Sequence, residues 1–374
     1  MTLFDEPRPT LSAGEGRRPR GRRERIGWIA LGVAVVIGFA FALLPSPYVI
    51  QAPGPVYDTL GTAEHDGEEI PLIEVPDEET FPTDGSLDLL TVSVIGRPGA
   101  TPNWLDVVAA WFDRTRSAVP EEEIFPPGVT QEDRDAQNTA AMVDSQQDAI
   151  AAALVELGYD FPREVTVQGV LEGGPADGVL DDGDVIDRLD GAPVRSIDEL
   201  RSAIAEHGTA EPATLDVIRG GEPLTVEITP VDRDGLTVLG IGVRMHYEFP
   251  IDVEIRLDDV GGPSAGMMFA LGIIDKLTPG AMTGGESIAG TGTIDSAGEV
   301  GPIGGIRQKL WGADRAGADW FLSPEDNCAE VVGNVPDGMR VFSVSTLDDA
   351  RSIVEAVGEG ADTSSFATCE APAS

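Results

Sequence analysis

Residues 253–274 read VEIRLDDVGGPSAGMMFALGII, and the fold turns on how this stretch is parsed. Val253–Leu257 alternates apolar and charged side chains as a strand does, and the uncharged run that follows Ser264 reads as a buried helix. Between them, Gly261, Gly262, Pro263, Ala265 and Gly266 surround one serine with small residues. Pro263 suits a first helical turn, where its missing N–H costs nothing. Ser264 is thereby expected at a helix N-terminus, where the backbone of Gly262, Pro263 and Ser264 would lie against an oxyanion and its free N–H groups face it at the positive end of the dipole. Gly-Pro-Ser also opens many ordinary helices, so the octapeptide alone leaves a cap and a nucleophile both open.

A nucleophilic serine needs a base. His65, His207 and His246 are scattered singly, no G-x-S-x-G is present, and two cysteines with three lone histidines make no zinc pattern or other metal site. The chain writes arginine 23 times and lysine only twice, at Lys276 and Lys309. Arginine holds its proton at any usable pH, whereas a buried lysine can be neutral. Lys276 falls at the end of the Ser264 helix, where a cation is merely favourable. Lys309 lies in EVGPIGGIRQKLWGADRAGA, on a helix expected after a glycine turn and among apolar neighbours, and is the better base. No cofactor is called for.

Upstream, LDLLTVSVIG (87–96) reads as a core strand, NWLDVVAAWFDRTRS (103–117) as an amphipathic helix and NTAAMVDSQQDAIAAALVELG (138–158) as a long helix. SPYVIQAPGPVYDTLG (46–61) reads as short extended pieces broken by proline and glycine, and 119–136 as a polar loop. From 165 to 231 the texture changes to short strands and turns around Gly174-Pro175-Ala176, Gly183-Asp184-Val185-Ile186 and Asp190-Gly191, with a short helix from Ile197 to Ile204.

The net charge of −40 is unevenly spread: residues 1–25 hold seven arginines against four acidic residues, and the rest is strongly acidic. Such a body repels phosphate backbones, which argues against nucleic-acid binding. Ile26–Leu44 is uncharged for 19 residues, enough to span a hydrocarbon core, with the arginines on the cytoplasmic side. A signal peptide cleaved near Ala40-Phe41-Ala42 is the rival, but the apolar run exceeds the usual h-region and continues past that site. Either way the body is expected outside the cytoplasm. There Cys328 and Cys369 are free to pair or to remain thiols.

The 165–231 segment resembles a PDZ domain of the bacterial type. That resemblance implies capture of an extended peptide by strand addition, with a carboxylate loop expected near Gly158, Tyr159, Asp160 and Phe161. GGPSAG (261–266), TGTI (291–294), GEVGPIGGIRQK (298–309) and AGADWFLSPEDN (316–327) resemble, in order and spacing, the proteolytic domain of the Lon protease family. The resemblance implies a Ser264–Lys309 dyad, with Thr291 hydrogen-bonding near the lysine, and ring assembly. Gly262 stands where many family members carry an acidic residue. Neither lysine is followed by Ser or Thr, so the phosphate loop of an ATPase is missing.

The whole is similar to membrane-anchored PDZ-Lon proteases of Gram-positive bacteria. An α+β chain is expected: a cytoplasmic segment (1–25), a transmembrane helix (26–44), an N-terminal part of the protease region (46–158), an inserted PDZ domain (159–232), a Lon-type proteolytic domain (236–356) and a flexible tail (357–374). The expected activity is ATP-independent cleavage of unfolded or flexible extracytoplasmic proteins. The alternative is an inert membrane-tethered PDZ scaffold.

Overall fold

A computed structural model describes residues 22–65, 67–257 and 260–369; most of the arginine-rich segment lies outside them. The first sheet is built from β1 (Tyr48–Asp58), β2 (Ser86–Ile95) and β3 (Ser117–Pro120) early in the chain. The second takes β4 (Arg163–Val170), β5 (Val185–Leu189), β6 (Ala213–Arg219), β7 (Glu222–Ile228) and β8 (Ile241–Tyr247). β9 (Ser287–Gly290), β10 (Trp320–Pro324) and β11 (Arg340–Val344) return to the first. The helices that matter here are α1 (Arg22–Leu43), α2 (Trp104–Phe112), α3 (Gln131–Glu156), α4 (Ile197–His207), α5 (Gly266–Leu277), α6 (Ile306–Ala316) and α7 (Leu347–Gly358).

The first sheet runs β11-β10-β9-β2-β1-β3, parallel from β11 to β2 and antiparallel from β2 to β3. Side chains alternate across it with period two. Leu87, Leu89, Ile288, Leu322 and Phe342 enter one core with α3, α5 and α7, while Leu90, Ala289, Phe321 and Val341 enter another with α6. α5 sits wholly inside the first core, with residues 266–275 all buried. Burying each of Phe269, Leu271, Ile273 and Ile274 contributes about 1.5–3 kcal/mol, which makes this helix a rigid floor for whatever precedes it.

The second sheet runs β7-β6-β5-β4-β8 and closes a separate small core around Val165, Ile186, Leu200, Ile204 and Val217. Asp184 is its buried polar pivot: Arg219 grips it with Nε at 2.8 Å and Nη2 at 2.6 Å, while the Asp181 N–H donates to it. β4 and β8 are paired, Arg163 opposite Tyr247, so the chain enters and leaves this unit side by side. The unit therefore extends past residue 232, as far as β8.

Several local expectations need correction. The helix expected over 103–117 ends at Phe112 and gives way to β3, and α3 starts at Gln131, inside the stretch read as a polar loop. Residues 48–58 form one continuous strand rather than short pieces, because a register shift between Pro53 and Val56 absorbs the prolines as a bulge. Of the strand expected at 253–257, only Glu254–Ile255 pairs, against Ile73–Glu74. The tail folds back as far as Cys369: Cys328 and Cys369 form a disulfide, Ser343 N–H donates to Ala367 C=O at 2.9 Å, and Phe366 stacks edge-on against Phe342.

Candidate active site

Ser264 stands in the turn before α5, not inside it. The helix begins at Gly266 with Ala265 as its cap, which leaves Pro263 outside the first turn. The reason is that the backbone groups here are committed outward. The Ser145 hydroxyl donates to Pro263 C=O at 2.9 Å, and Gly262 N–H donates to Asn138 C=O at 2.9 Å. Ser264 C=O accepts from Gly292 N–H at 3.0 Å and from the Thr291 hydroxyl at 2.9 Å. Ser145 and Asn138 both lie on α3, which packs so closely that a Cβ on Gly261 would stand 2.6 Å from Asn138 Cβ.

Lys309 arrives from the opposite side. The cap of α6 is Gly305 in the left-handed region (φ 72°), where any Cβ would also meet Val92 Cγ2 at 2.8 Å. This turn presses the first turn of α6 against β2 and drives Lys309 inward until it is only 2% exposed. Its Nζ lies 2.7 Å from Ser264 Oγ and 2.7 Å from Thr291 Oγ1. Thr291 is fully buried just beyond β9. Its single proton goes to Ser264 C=O, so it must accept from the lysine. A neutral amine has two N–H groups and one lone pair. With one N–H on Thr291, the lone pair is free to take the Ser264 hydroxyl proton. Burial pushes the Lys309 amine down to about 7.

Ser264 and Lys309 border a cleft of ≈270 Å³ walled by Tyr57, residues 89–93 of β2, Met142, Gly261 and Gly304, with Thr291 buried behind them. A second hollow of ≈490 Å³ continues past Val92 and Val94 to Gly96, Arg97 and Ala100, with Arg134 and Asn138 of α3 opposite. β9 pairs with β2 only as far as Leu89, so beyond it β2 has one edge that no described strand covers. Pro53 has no N–H to give its neighbour Val92, which makes them a pair without mutual hydrogen bonds. The backbone groups of Val92 and, two residues on, Val94 then point to the open edge.

Of the residues expected at the oxyanion, Pro263 has no N–H and Gly262 spends its own on Asn138. The Ser264 N–H remains, with no partner among the described residues. Lys276 is at the far end of α5, its Nζ 3.4 Å from Leu60 C=O, and His246 is exposed on β8. Gly158, Tyr159, Asp160 and Phe161 are not brought to a peptide groove. They close the end of α3, with Tyr159 N–H bonded to Leu154 C=O and Phe161 packed edge-on against Tyr247 and Phe249. A groove of ≈730 Å³ instead lies between α4 and the outer edge of β8, lined by Leu200, Ile204 and residues 237–243. The signal for it was the glycine alternation in LGIGV (239–243). No local signal marked Asn138 or Ser145, more than a hundred residues before the serine.

Residues 248–356 match the family model of the Lon protease (S16) C-terminal proteolytic domain, and residues 129–229 match that of the PDZ domain. Lon protease 1 of Bacillus subtilis is 33% identical over 116 residues, covering 30% of this chain and 15% of that protein. Lon protease 2 of Herpetosiphon aurantiacus is 37% identical over 165 residues, covering 36% and 20%. Among solved structures, the PDZ domain of an SdrC-like protein from Listeria monocytogenes is 26% identical and covers 21% of this chain and 85% of that one, with a TM-score of 0.20. The chain spans a fifth or less of the length of these two Lon relatives.

Proposed function

Starting from a chain that carries a Lon-type proteolytic domain and a PDZ domain, we propose an ATP-independent serine endopeptidase with a Ser264–Lys309 dyad. The observation that carries this reading is a buried amine 2.7 Å from a half-buried serine hydroxyl at the mouth of a cleft. Neutral Lys309 takes the Ser264 proton as Oγ bonds to a substrate carbonyl carbon, and the tetrahedral oxyanion rests on the Ser264 N–H. The C–N bond then breaks, the lysine's new proton leaves on the amine, and an acyl-enzyme remains. Water repeats the sequence: Lys309 accepts its proton, hydroxide adds, and Ser264 departs reprotonated.

The substrate lies extended along the open edge of β2, where Val92 and Val94 offer backbone partners. Both lysines precede leucine, so this chain has no phosphate loop and its substrates must already be unfolded or flexible. α1 is an uncleaved anchor that places the body outside the cytoplasm, and the α4–β8 groove selects or regulates substrates.

The test is cleavage of an unfolded reporter without ATP by the full chain in detergent, with Ser264→Ala and Lys309→Arg beside it. Cutting by the wild type alone is expected. Cutting by Ser264→Ala overturns the nucleophile, and cutting by Lys309→Arg overturns the base. A wild type that binds peptide and cuts nothing favours the scaffold.

A further inference from the structure

α2 has apolar side chains on two faces. Val107 and Ala110 face inward and are buried, while Leu105 (47% exposed), Val108 (37%), Trp111 (59%) and Phe112 (86%) line the outer side at helical spacing. Asp106 is the helix's one charged residue. A stripe that includes a nearly free phenylalanine and a tryptophan is too apolar to be an ordinary solvated face.

Its position identifies what covers it. α2 starts where the apolar α1 ends, and the two are fastened together. Pro45 bridges to Asn103. The Ser46 N–H and hydroxyl both donate to Pro102 C=O, at 2.9 and 2.8 Å. The Asn103 side chain then caps α2 by accepting from Leu105 and Asp106 N–H. Phe41 of α1 packs edge-on against Trp104, which also meets Tyr48. The outer stripe is thus continuous with the exposed end of the 19-residue apolar segment.

We propose that the outer face of α2 is a lipid-docking surface, lying in the interfacial layer of the bilayer that α1 crosses. The proposal rests on reading α1 as a membrane span. An acidic body gains nothing from anionic headgroups, so the attraction is apolar and insensitive to salt. Residues 96–102 join the open edge of β2 to α2, and Gly96, Arg97 and Ala100 line the outer hollow. Docking would therefore hold that end of the substrate groove against the membrane, where chain segments emerging from or lying on the bilayer enter first.

The test uses the full chain in phosphatidylcholine vesicles with and without brominated acyl chains. A polarity-sensitive fluorophore is placed in turn on Phe112→Cys, Phe39→Cys in α1 and Glu222→Cys in β7; the native cysteines are paired and do not compete. The label at 112 is expected to shift to the blue and lose about half its emission to bromine, as an interfacial group does, at low and high salt alike. The label at 222 should do neither. Quenching at 39 with a water-like, unquenched label at 112 overturns the docking surface and leaves the span intact. No quenching at 39 overturns the span, and the docking surface with it.

Discussion

Lys309 owes its chemistry to what is missing around it as much as to what it touches. Thr291 and Ser264 are uncharged partners, so nothing offsets the burial of an ammonium. kcat/KM for a short peptide should climb with pH through about 7, as the amine loses its proton, and then level off. A flat profile between pH 6 and 9 would remove Lys309 as the titrating base. The same shift has a signature in stability. The folded value is depressed, so between about pH 7 and 10.5 the unfolded chain binds the extra proton and the native state gains with rising pH. Against Lys309→Met, wild-type stability should therefore rise by about 1.4 kcal/mol per pH unit in that window, measured by denaturant unfolding at pH 6, 8 and 9.5. Thr291→Val keeps the shape but removes the lysine's acceptor and a donor to Ser264 C=O. A loss of about tenfold or more in kcat/KM is expected, with Thr291→Ser restoring most of it; equal activity in both variants would deny the hydroxyl a role. At this scale the sequence singled out Ser264 by its small neighbours and Lys309 as one of two lysines beside 23 arginines, and the fold brings the two within 2.7 Å. Thr291 carried no such mark outside its resemblance. Asn138 and Ser145 carried none at all, because their work is done by tertiary contact between α3 and a turn far along the chain.

Among the elements, β2 does most to define the site. One side of its outer half is sealed by β1, the other is open, and its residues wall both the cleft at Ser264 and the outer hollow. Val94→Pro tests strand addition directly. Proline is tolerated at an unpaired edge, and it deletes the one N–H that Val94 turns toward the open edge, where the proposed substrate would pair. KM for an extended peptide should rise by about tenfold or less, the worth of one net hydrogen bond, with the melting temperature little changed. An unchanged KM in a folded variant would mean that substrate does not use this edge. Periodicity located β2 and the apolar body of α3, since those patterns are long and regular, but it missed the polar first two turns of α3 from Gln131, which a Thr130–Asp133 capping box opens. It misjudged β1, where proline and glycine read as breaks, although Pro53 and the bulge after it are what leave Val92 free to face outward. Pro263 misled in the same way: its fixed φ suited a helix start, but hydrogen bonds from α3 hold it in the turn before one.

On the scale of the whole molecule, the second sheet is a guest in the first domain's chain. Its core is distinct from the larger one, and Met245 is a partly buried residue that packs against both. The link between the two runs through α3. Tyr247 donates to Asp148 at 2.5 Å, and Arg244 pairs with Asp144 at an exposed, energetically minor bridge. Tyr247 itself belongs to the larger core, stacked on Phe249 and edge-on to Phe161. Arg163 and Tyr247 face each other as strand partners, so a short glycine-serine linker can replace residues 164–246 without pulling either end out of place. Tyr247 and its bond to Asp148 survive that excision, and so does the grip of α3 on the Ser264 turn. The shortened protein should unfold cooperatively, cleave a short peptide in a Ser264-dependent manner near the wild-type rate, and lose whatever substrate choice depends on the α4–β8 groove. If it instead folds but cleaves short peptides far more slowly, the second sheet is holding α3, and through it the nucleophile's turn, in working position. The groove would then be wired to the dyad rather than carried beside it.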